Sequence, residues 1–444
     1  MTMLRLDPQG DYARRPSDRR QSAGTSRADS LAVRGNGALP VTVGSRMFYL
    51  LNRSADALGL FRRPLSVREL IAAAERRTGL ADLGDWDIEE PLKRLLDSYE
   101  REANLSAFGR LAARWDVVRF LSNLLRLREE EKRHPAILDE PIERPIFITG
   151  LPRSGTSFLH ELLCQDPSNL VVHHWETIYP CPITPKGNDV ELRRRKVRSQ
   201  IRSFERIAPE IRNLHPFEAD SPQECTEITG HIFRGMRFDT THHIPSYSRW
   251  LDGEDQVVAY RFHKRFLQHL QHRRGRGRWM LKCPEHVFAL DALRAVYPDA
   301  RFVFTHRNPL PVLASVARLT EALRLPFTTR SDRRQIGAEV SERWAQGAAI
   351  MLAVAKAATG ATEPVLHVKF SSFVHDPAAA ICALYRHFDH ELDAASAARI
   401  QELIRQKPTG GNRRNTGLLE DYGLDAETER RRFGDYMAYF GIAA

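Results

Sequence analysis

A chain of 444 residues is long enough for one substantial α/β domain with additions, because single hydrophobic cores stop growing near roughly 250–300 residues. The formal net charge of +10 favours anionic partners, which include nucleic acid, a membrane surface and a polyanionic small molecule. No run approaches the roughly 18 consecutive apolar residues that a transmembrane helix needs, so we expect no transmembrane segment.

Cysteine usage and the composition of the N-terminus indicate the compartment. The five cysteines are widely spaced and include no CxxC pair, which is typical of free thiols in a reducing environment. The N-terminus also lacks the compact apolar core of a signal peptide. We therefore expect a cytoplasmic protein.

The first 140 residues divide into two parts. Residues 1–40 are rich in Arg, Asp, Ser and Gly without periodic apolar positions, which predicts a disordered tail. Residues 41–140 contain apolar positions at helical spacing, for example Leu92, Leu95 and Leu96. This pattern predicts a helical N-terminal extension, which could cover the active site or take part in a homo-oligomer contact.

Short β-rich runs alternate with helices in residues 141–444, and this alternation predicts parallel strands joined by crossovers. Strands are predicted at 145–149, 171–174, 278–282, 301–305 and 364–369. Residues 185–273 form a long, mostly helical insertion that we expect on the substrate side. The predicted fold is therefore α/β, a P-loop-like three-layer fold with a central parallel sheet.

The segment Pro145-Ile-Phe-Ile-Thr-Gly-Leu-Pro-Arg-Ser-Gly-Thr-Ser157 predicts a phosphate-binding turn between a strand and a helix. Backbone N–H groups at a helix N-terminus have no internal partner and point outward with the positive end of the dipole. A phosphate placed there satisfies them. Ser154, Thr156 and Ser157 would add hydroxyl donors.

The alternative is a P-loop kinase-like phosphotransferase, which needs GxxxxGK[ST] with a lysine that reaches the β- and γ-phosphates. Thr156 occupies the lysine position, and the cation of the loop is Arg153. A Walker-B carboxylate is also missing after the strand at 301–305, which continues into His306 and Arg307. These departures argue against hydrolysis of a magnesium nucleotide.

Two motifs together resemble the cofactor signatures of sulfotransferases that use PAPS (3′-phosphoadenosine 5′-phosphosulfate). They are Pro152-Arg-Ser-Gly-Thr-Ser157 and Thr305-His-Arg-Asn-Pro309, the latter with Ser315 eight residues after Arg307. The resemblance implies that Arg153, Ser154, Gly155, Thr156 and Ser157 hold the 5′-phosphosulfate. It implies that Arg307 and Ser315 hold the 3′-phosphate, a role that suits the planar donor fork of a guanidinium.

The segment Trp279-Met-Leu-Lys-Cys-Pro-Glu-His286 looks most like the bacterial branch related to tyrosylprotein and carbohydrate sulfotransferases. In this resemblance, Lys282 joins Arg153 in stabilising the transferred group. Glu176 resembles the catalytic glutamate of those enzymes, and burial against Trp175 would raise its pKa towards that of a general base. The competing base is His286, although it follows Lys282 by four residues instead of the two found in the small-molecule enzymes.

The acceptor of the implied reaction is left open by the sequence. Aromatic residues at 229–266 suit a flat or lipidic hydroxyl compound, whereas abundant Arg, His and Asp suit a carbohydrate. Within residues 215–225, Ser221 and Glu224 have capping-box spacing, which predicts a helix start; the alternative for this segment is contact with the acceptor. We expect no metal site and no nucleic-acid partner, and the basic segment Gly410-Gly-Asn-Arg-Arg414 is either a further cofactor contact or a solvated loop.

Overall fold

The structure is a computed structural model that describes residues 42–184, 189–357, 365–407 and 418–443. The predicted tail at 1–40 and the basic segment at 410–414 lie outside the described residues. None of the described helices has the length and apolar character needed to span a bilayer.

A five-stranded sheet forms the centre of the molecule, with strand order β2-β3-β1-β4-β5. All pairs are parallel, as the sequence predicts. The strands are β1 (Ile146–Gly150), β2 (Asn169–Leu170), β3 (Arg278–Lys282), β4 (Arg301–His306) and β5 (Val365–Lys369). β1 lies at the centre and all five of its residues are buried, which fits a strand covered on both faces.

Helices surround the sheet and make up most of the remaining chain. Four precede it: α1 (Val43–Ala57), α2 (Val67–Thr78), α3 (Glu89–Arg101) and α4 (Ala107–Arg133). Eight lie between β1 and β3: α5 (Thr156–Leu163), α6 (His174–Ile178), α7 (Val190–Ile207), α8 (Ile211–Leu214), α9 (Thr226–Thr229), α10 (Arg237–Thr241), α11 (Pro245–Asp252) and α12 (Val257–Arg274). Eight follow β3: α13 (Leu290–Val296), α14 (Pro309–Arg324), α15 (Arg333–Ala357), α16 (Phe370–His375), α17 (Pro377–His387), α18 (Ala394–Gln406), α19 (Ala426–Arg432) and α20 (Gly434–Phe440). Short 3-10 helices occur at Pro135–Asp139, Gly230–Ile232, Pro284–Ala289 and Glu420–Tyr422.

Alternate side chains of the central strands enter two separate hydrophobic clusters. Phe147 and Phe302 pack on one face of the sheet with residues of α4 and α12. Ile146 and Ile148 pack on the other face with residues of α5 and α17. Side chains of a strand point alternately to opposite faces, so this division places helices on both sides of the sheet. The predicted three-layer α/β fold is confirmed.

The predicted strand at 171–174 is wrong, because β2 ends at Leu170 and the chain leaves the sheet there. His173 instead makes an isolated antiparallel bridge with Pro222 of the insertion. The helix His174–Ile178 follows at once. The apolar run Leu170–Val172 resembles an inner strand, but its continuation is held by contacts with a segment about 50 residues away in sequence.

The helical N-terminal segment is attached to the domain by a close backbone contact. Gly109 lies in the first turn of α4, where the side chain of Ser106 accepts a hydrogen bond from its N–H. The N–H of Ser106 donates to the carbonyl of Phe327 at 2.9 Å. A Cβ atom on Gly109 would overlap that same carbonyl.

We predict that Gly109→Ala lowers the free energy of unfolding by about 2 kcal/mol, because overpacking forces the backbone apart. The matched control is Gly434→Ala, since a Cβ atom on this helical glycine meets nothing within 4 Å. Urea unfolding followed by circular dichroism measures both variants. Equal midpoints for the two variants would contradict the role of this contact.

Candidate active site

The turn between β1 and α5 has an unusual backbone. Gly150, Arg153 and Gly155 have positive φ angles of 133°, 61° and 89°. A Cβ atom on Gly150 would overlap the carbonyl of Thr305 in β4, so the turn is held against the neighbouring strand. Gly155 is the N-cap of α5, and the N–H groups of the first helical turn lack carbonyl partners within the helix. The local geometry therefore favours an anion.

The three hydroxyl groups of this turn have different surroundings. Ser154 is fully buried, and its hydroxyl contacts the carbonyl of Leu151 and the hydroxyl of Thr305. That hydroxyl is consequently engaged within the protein and contributes to the shape of the turn. Thr156 and Ser157 line a cavity next to the turn.

Arg153, Arg307 and Ser315 come together beside the turn. The Nε of Arg153 donates to the hydroxyl of Ser315 at 3.0 Å, and its Nη1 donates to the carbonyl of Leu214 at 2.7 Å. Arg307 donates to the carbonyl of Arg153. The guanidinium of Arg307 also lies over the ring of Phe370, 4.0 Å from its centroid. The two motifs singled out in the sequence thus form one site.

The two arginines are not held in ion pairs by the described protein. Neither Arg153 nor Arg307 forms an ion pair with a carboxylate of the described residues. Burial lowers the pKa of both; the charge of Glu224 partly offsets this for Arg153, and the charge of Arg153 lowers the pKa of Arg307 further. Half-buried, adjacent and unpaired cations are unfavourable unless an anion compensates them. This pair therefore favours a ligand with anionic groups.

Lys282, at the end of β3, forms the next part of the site. Its side chain is 3% exposed, and its Nζ donates to Oε1 of Glu224 at 2.6 Å and to Oγ of Ser157 at 3.3 Å. Burial raises the pKa of Glu224, but the nearby Lys282 and His215 outweigh burial and hold this pKa below its usual value. His215 has its own pKa lowered to about 4 by burial and by the charges of Lys282 and Arg153.

The sequence analysis missed Glu224 as a site residue. The predicted capping box of Ser221 and Glu224 is wrong, because α9 begins only at Thr226 and Cys225 makes no side-chain cap. The hydroxyl of Ser221 accepts from the N–H of Glu218 at 2.9 Å. Glu224 is instead paired with Lys282 from 58 positions further along the chain, a contact that no local spacing indicates.

Glu176 lies outside the residues that line the cavity. Its carboxylate accepts from the N–H of His173 at 2.9 Å and pairs with Arg274 at 3.3 Å. Burial raises the pKa of Glu176, but hydrogen bonding to His173 and the charge of Arg274 bring it below its usual value. The expectation that burial against Trp175 raises this pKa overall is therefore wrong.

His286 also lies away from the cavity, because its side chain points into the core and is fully buried. Its Nδ1 is 2.8 Å from the hydroxyl of Tyr260, and its ring packs edge-on against Phe147. Burial, with the neighbouring His263 and Lys282, places its pKa well below the ordinary value. The structure thus brings together Arg153, Lys282 and the cofactor motifs but neither predicted base.

The cavity next to the turn has a volume of about 820 Å³. Its polar side includes Lys282, Glu224 and His215. Helices α14 and α15 contribute the apolar cavity wall, which consists of Val316, Leu319, Leu323, Val340 and Trp344. The same helices also contribute polar lining residues, namely Thr320, Arg324, Glu339 and Arg343. A compound with an apolar body and polar groups would fit this mixed lining.

Glu285 forms part of the cavity wall where β3 meets the insertion. Its carboxylate accepts hydrogen bonds from the hydroxyls of Thr226 and Thr229 and from the N–H of Met236, at 2.8, 3.2 and 2.9 Å. Burial raises its pKa to about 7 despite these bonds. Its donors all belong to the insertion, so Glu285 positions that segment over the sheet. Among the described residues, no group of three or more His, Cys, Asp or Glu side chains could hold a metal ion.

A parallel sheet with a glycine-containing turn at its central strand, and with two arginines and a lysine beside a cavity, is typical of proteins that bind a nucleotide for group transfer. Comparison with known proteins identifies the family. A family description, "Sulfotransferase family", matches residues 145–394, which is more than half of the chain. The chain belongs to this sulfotransferase family, as its motifs predict.

Similar proteins come from mycobacteria. The structure of sulfotransferase STF1 from Mycobacterium tuberculosis H37Rv aligns with a TM-score of 0.73 and 32% identity, over 83% of this chain and 98% of that one. STF9 from Mycobacterium avium gives 0.76 and 27%, over 85% and 97%. Omega-hydroxy-beta-dihydromenaquinone-9 sulfotransferase Stf3 from Mycobacterium bovis is 29% identical over 184 residues, 40% of this chain. The match covers 46% of Stf3, so the chain spans about half the length of the curated relatives it matches.

Proposed function

We propose that this protein is a PAPS-dependent sulfotransferase that transfers a sulfonate group to an acceptor hydroxyl and releases PAP (adenosine 3′,5′-bisphosphate). The observation that carries the proposal is the contact between Arg307 and Arg153, which in turn contacts Ser315, without an ion pair from either arginine to a carboxylate of the described residues. Both PAPS and PAP carry two anionic groups, which would compensate the two cations. Membership of the sulfotransferase family supports the same reaction.

The two motifs suit the two ends of the nucleotide. The N–H groups of the turn, with Gly155 at its end and the hydroxyls of Thr156 and Ser157, would hold the 5′-phosphosulfate. Arg307 and Ser315 would hold the 3′-phosphate through charge-assisted hydrogen bonds. Ser154 would contribute through its backbone, because its hydroxyl is engaged inside the protein.

Three side chains of the chain would carry out the transfer. Arg153 and Lys282 lie beside the turn and would stabilise negative charge on the sulfonate and on the leaving phosphate oxygen. As the acceptor oxygen bonds to sulfur, the S–O bond to the phosphate breaks, and the acceptor proton must go to a base. We assign this role to Glu224, which lines the cavity 2.6 Å from Lys282.

The ion pair of Lys282 and Glu224 gives a reason why the base becomes active when the donor is bound. In the described structure, Lys282 holds the pKa of Glu224 down. A sulfonate placed at the turn would compete for the Nζ of Lys282, because it offers a second set of anionic oxygens. Release of this bond would raise the pKa of Glu224 and make the carboxylate a stronger base.

We further propose that the acceptor is a lipidic alcohol. The apolar cavity wall, which includes Leu319, Leu323 and Trp344, suits the body of such a compound. The polar side, where Glu224 lies, suits its hydroxyl group. The relative Stf3 is named for a hydroxylated menaquinone derivative, which belongs to the same chemical class. A carbohydrate acceptor would leave the apolar wall unused.

We predict that PAP binds without Mg²⁺ and that Arg307→Ala weakens this binding by about 10- to 100-fold, because one charge-assisted contact is worth about 1.5–3 kcal/mol. Titration calorimetry measures both affinities, and Arg330→Ala, at an exposed arginine, is the matched control. Binding of Mg-ATP in place of PAP would overturn the proposal and favour the kinase-like phosphotransferase.

Glu224→Gln should lower the turnover number by about 10²–10⁴-fold, because the amide cannot accept the acceptor proton. PAP affinity should change by less than about threefold, since Lys282 would remain able to contact the donor. The control is Glu218→Gln, because Glu218 lines the same cavity and forms no ion pair with a described residue. The formation of PAP from PAPS with acceptor extract gives the rates, and equal losses in both variants would remove Glu224 as the base.

The acceptor class can be tested by separating a host extract into lipid and aqueous fractions before adding PAPS and enzyme. We predict that products gaining the mass of one SO₃ arise from the lipid fraction, because the cavity has an extensive apolar wall. Mass spectrometry identifies them against a control without PAPS. Sulfonated products that arise from the aqueous fraction alone would rule out a lipidic acceptor while leaving the transfer reaction intact.

A further inference from the structure

Helix α1 presents an apolar face to solvent, here called the outer face of α1. It consists of Met47, Leu50, Leu51 and Leu58, which are 61%, 67%, 66% and 76% exposed. Their spacing of three, four and seven residues places them on one side of a helix. Leu60 and Phe61, also exposed, continue the apolar surface just beyond the helix end. No described residue covers this face.

The opposite side of α1 is firmly attached to the domain. Asn52 accepts the N–H of Phe108 at 2.9 Å, and Asp56 accepts the N–H of Ala107. The ring of Phe48 packs edge-on against Phe108 with centroids 4.9 Å apart. Since these contacts already fix the helix on α4, the fold itself does not require the exposed leucines. Their exposure indicates an external partner.

Basic residues border the outer face of α1. Arg46 and Arg53 are seven residues apart, so they follow one edge of the apolar stripe. Neither forms an ion pair within the described part of the chain. Residues 42–66 contain four arginines and one acidic residue, and one of these arginines, Arg63, is paired with Glu69. The acidic residue is Asp56, whose carboxylate accepts a hydrogen bond from the N–H of Ala107 at the start of α4. The surface therefore complements a partner that is both apolar and anionic.

A row of aromatic rings connects α1 with the cavity wall. Phe108 stacks on Phe327 with centroids 5.8 Å apart, and Phe327 stacks on Phe204 at 6.0 Å. Phe204 then joins the hydrophobic cluster that contains Leu319 and Leu323, two residues of the apolar cavity wall. These contacts connect the inner side of α1 with the apolar cavity wall.

We propose that the outer face of α1 binds the surface of a bilayer that contains anionic phospholipids. The leucines would enter the boundary between headgroups and acyl chains, while the arginines would contact lipid phosphates. An amphipathic helix with an apolar face and basic edges is the arrangement that such a surface attracts. Membrane binding does not depend on the transfer reaction, whereas its use for delivering a lipidic acceptor rests on the proposed function.

Sedimentation of the full-length protein with vesicles tests this proposal without an activity assay. We expect binding to vesicles of phosphatidylcholine with about 30% phosphatidylglycerol, because each arginine near an anionic surface contributes about fivefold. The double variant Leu50→Ser/Leu51→Ser should bind at least about tenfold more weakly, because it removes two leucine side chains that would be buried in the bilayer. The matched control is Leu138→Ser/Leu418→Ser, at exposed leucines outside α1.

The charge of the partner is tested by Arg46→Glu/Arg53→Glu, which should weaken binding to the anionic vesicles by about 25-fold or more. Pure phosphatidylcholine vesicles should bind the wild-type protein more weakly than the mixed vesicles. Equal vesicle binding by the leucine variant and its control would overturn the proposal. A wild-type dimer that the leucine variant converts to a monomer would assign the face to a second copy. A monomeric wild-type protein that binds no vesicles would assign the outer face of α1 to the N-terminal residues of the chain.

Discussion

The candidate site depends on two neighbouring guanidinium groups that form no ion pair with a carboxylate of the described residues. Arg153 adopts a positive φ within the turn, and its carbonyl accepts a hydrogen bond from Arg307, so the shape of the turn and the position of the second cation depend on each other. Gly150 allows the turn to lie directly against β4, which brings both motifs to the same edge of the sheet. The cost of keeping these charges together is acceptable in a protein whose ligand supplies the opposite charge.

Much of the fold could be predicted from local patterns. β3 occupies the predicted residues, and β1 and β4 differ from prediction by one residue, because inner parallel strands are short apolar runs with clear ends. The described part of β5, from Val365 to Lys369, lies within its predicted range. The strand at 171–174 failed because an apolar run cannot reveal that a distant segment takes its backbone hydrogen bonds. The strand predictions were therefore right where the backbone pairs with a neighbouring strand, and wrong where it pairs with the insertion.

The same distinction separates the site residues that could be predicted from those that could not. Arg153, Lys282, Arg307 and Ser315 follow strands or lie within motifs, and the structure brings them together. Glu224 could not be predicted, because its partner Lys282 belongs to the sheet whereas Glu224 belongs to the insertion. The pKa of Glu176 was mispredicted because hydrogen bonding to the neighbouring His173, together with the charge of Arg274 from the end of α12, outweighs the effect of burial. Long-range pairing, which local sequence does not encode, decides the partner of Glu224.

On the proposed function, the hydrogen bond from Arg153 to the carbonyl of Leu214 bears on the order of events in catalysis. It connects the turn with the segment that carries His215 and leads to Glu224. A donor bound at the turn would draw the same guanidinium towards its own oxygens, and the contact with Leu214 would weaken. Occupancy of the nucleotide site would thus be transmitted to the wall that receives the acceptor. Such coupling favours an ordered mechanism in which the donor binds first and the acceptor enters a site that the donor has already adjusted.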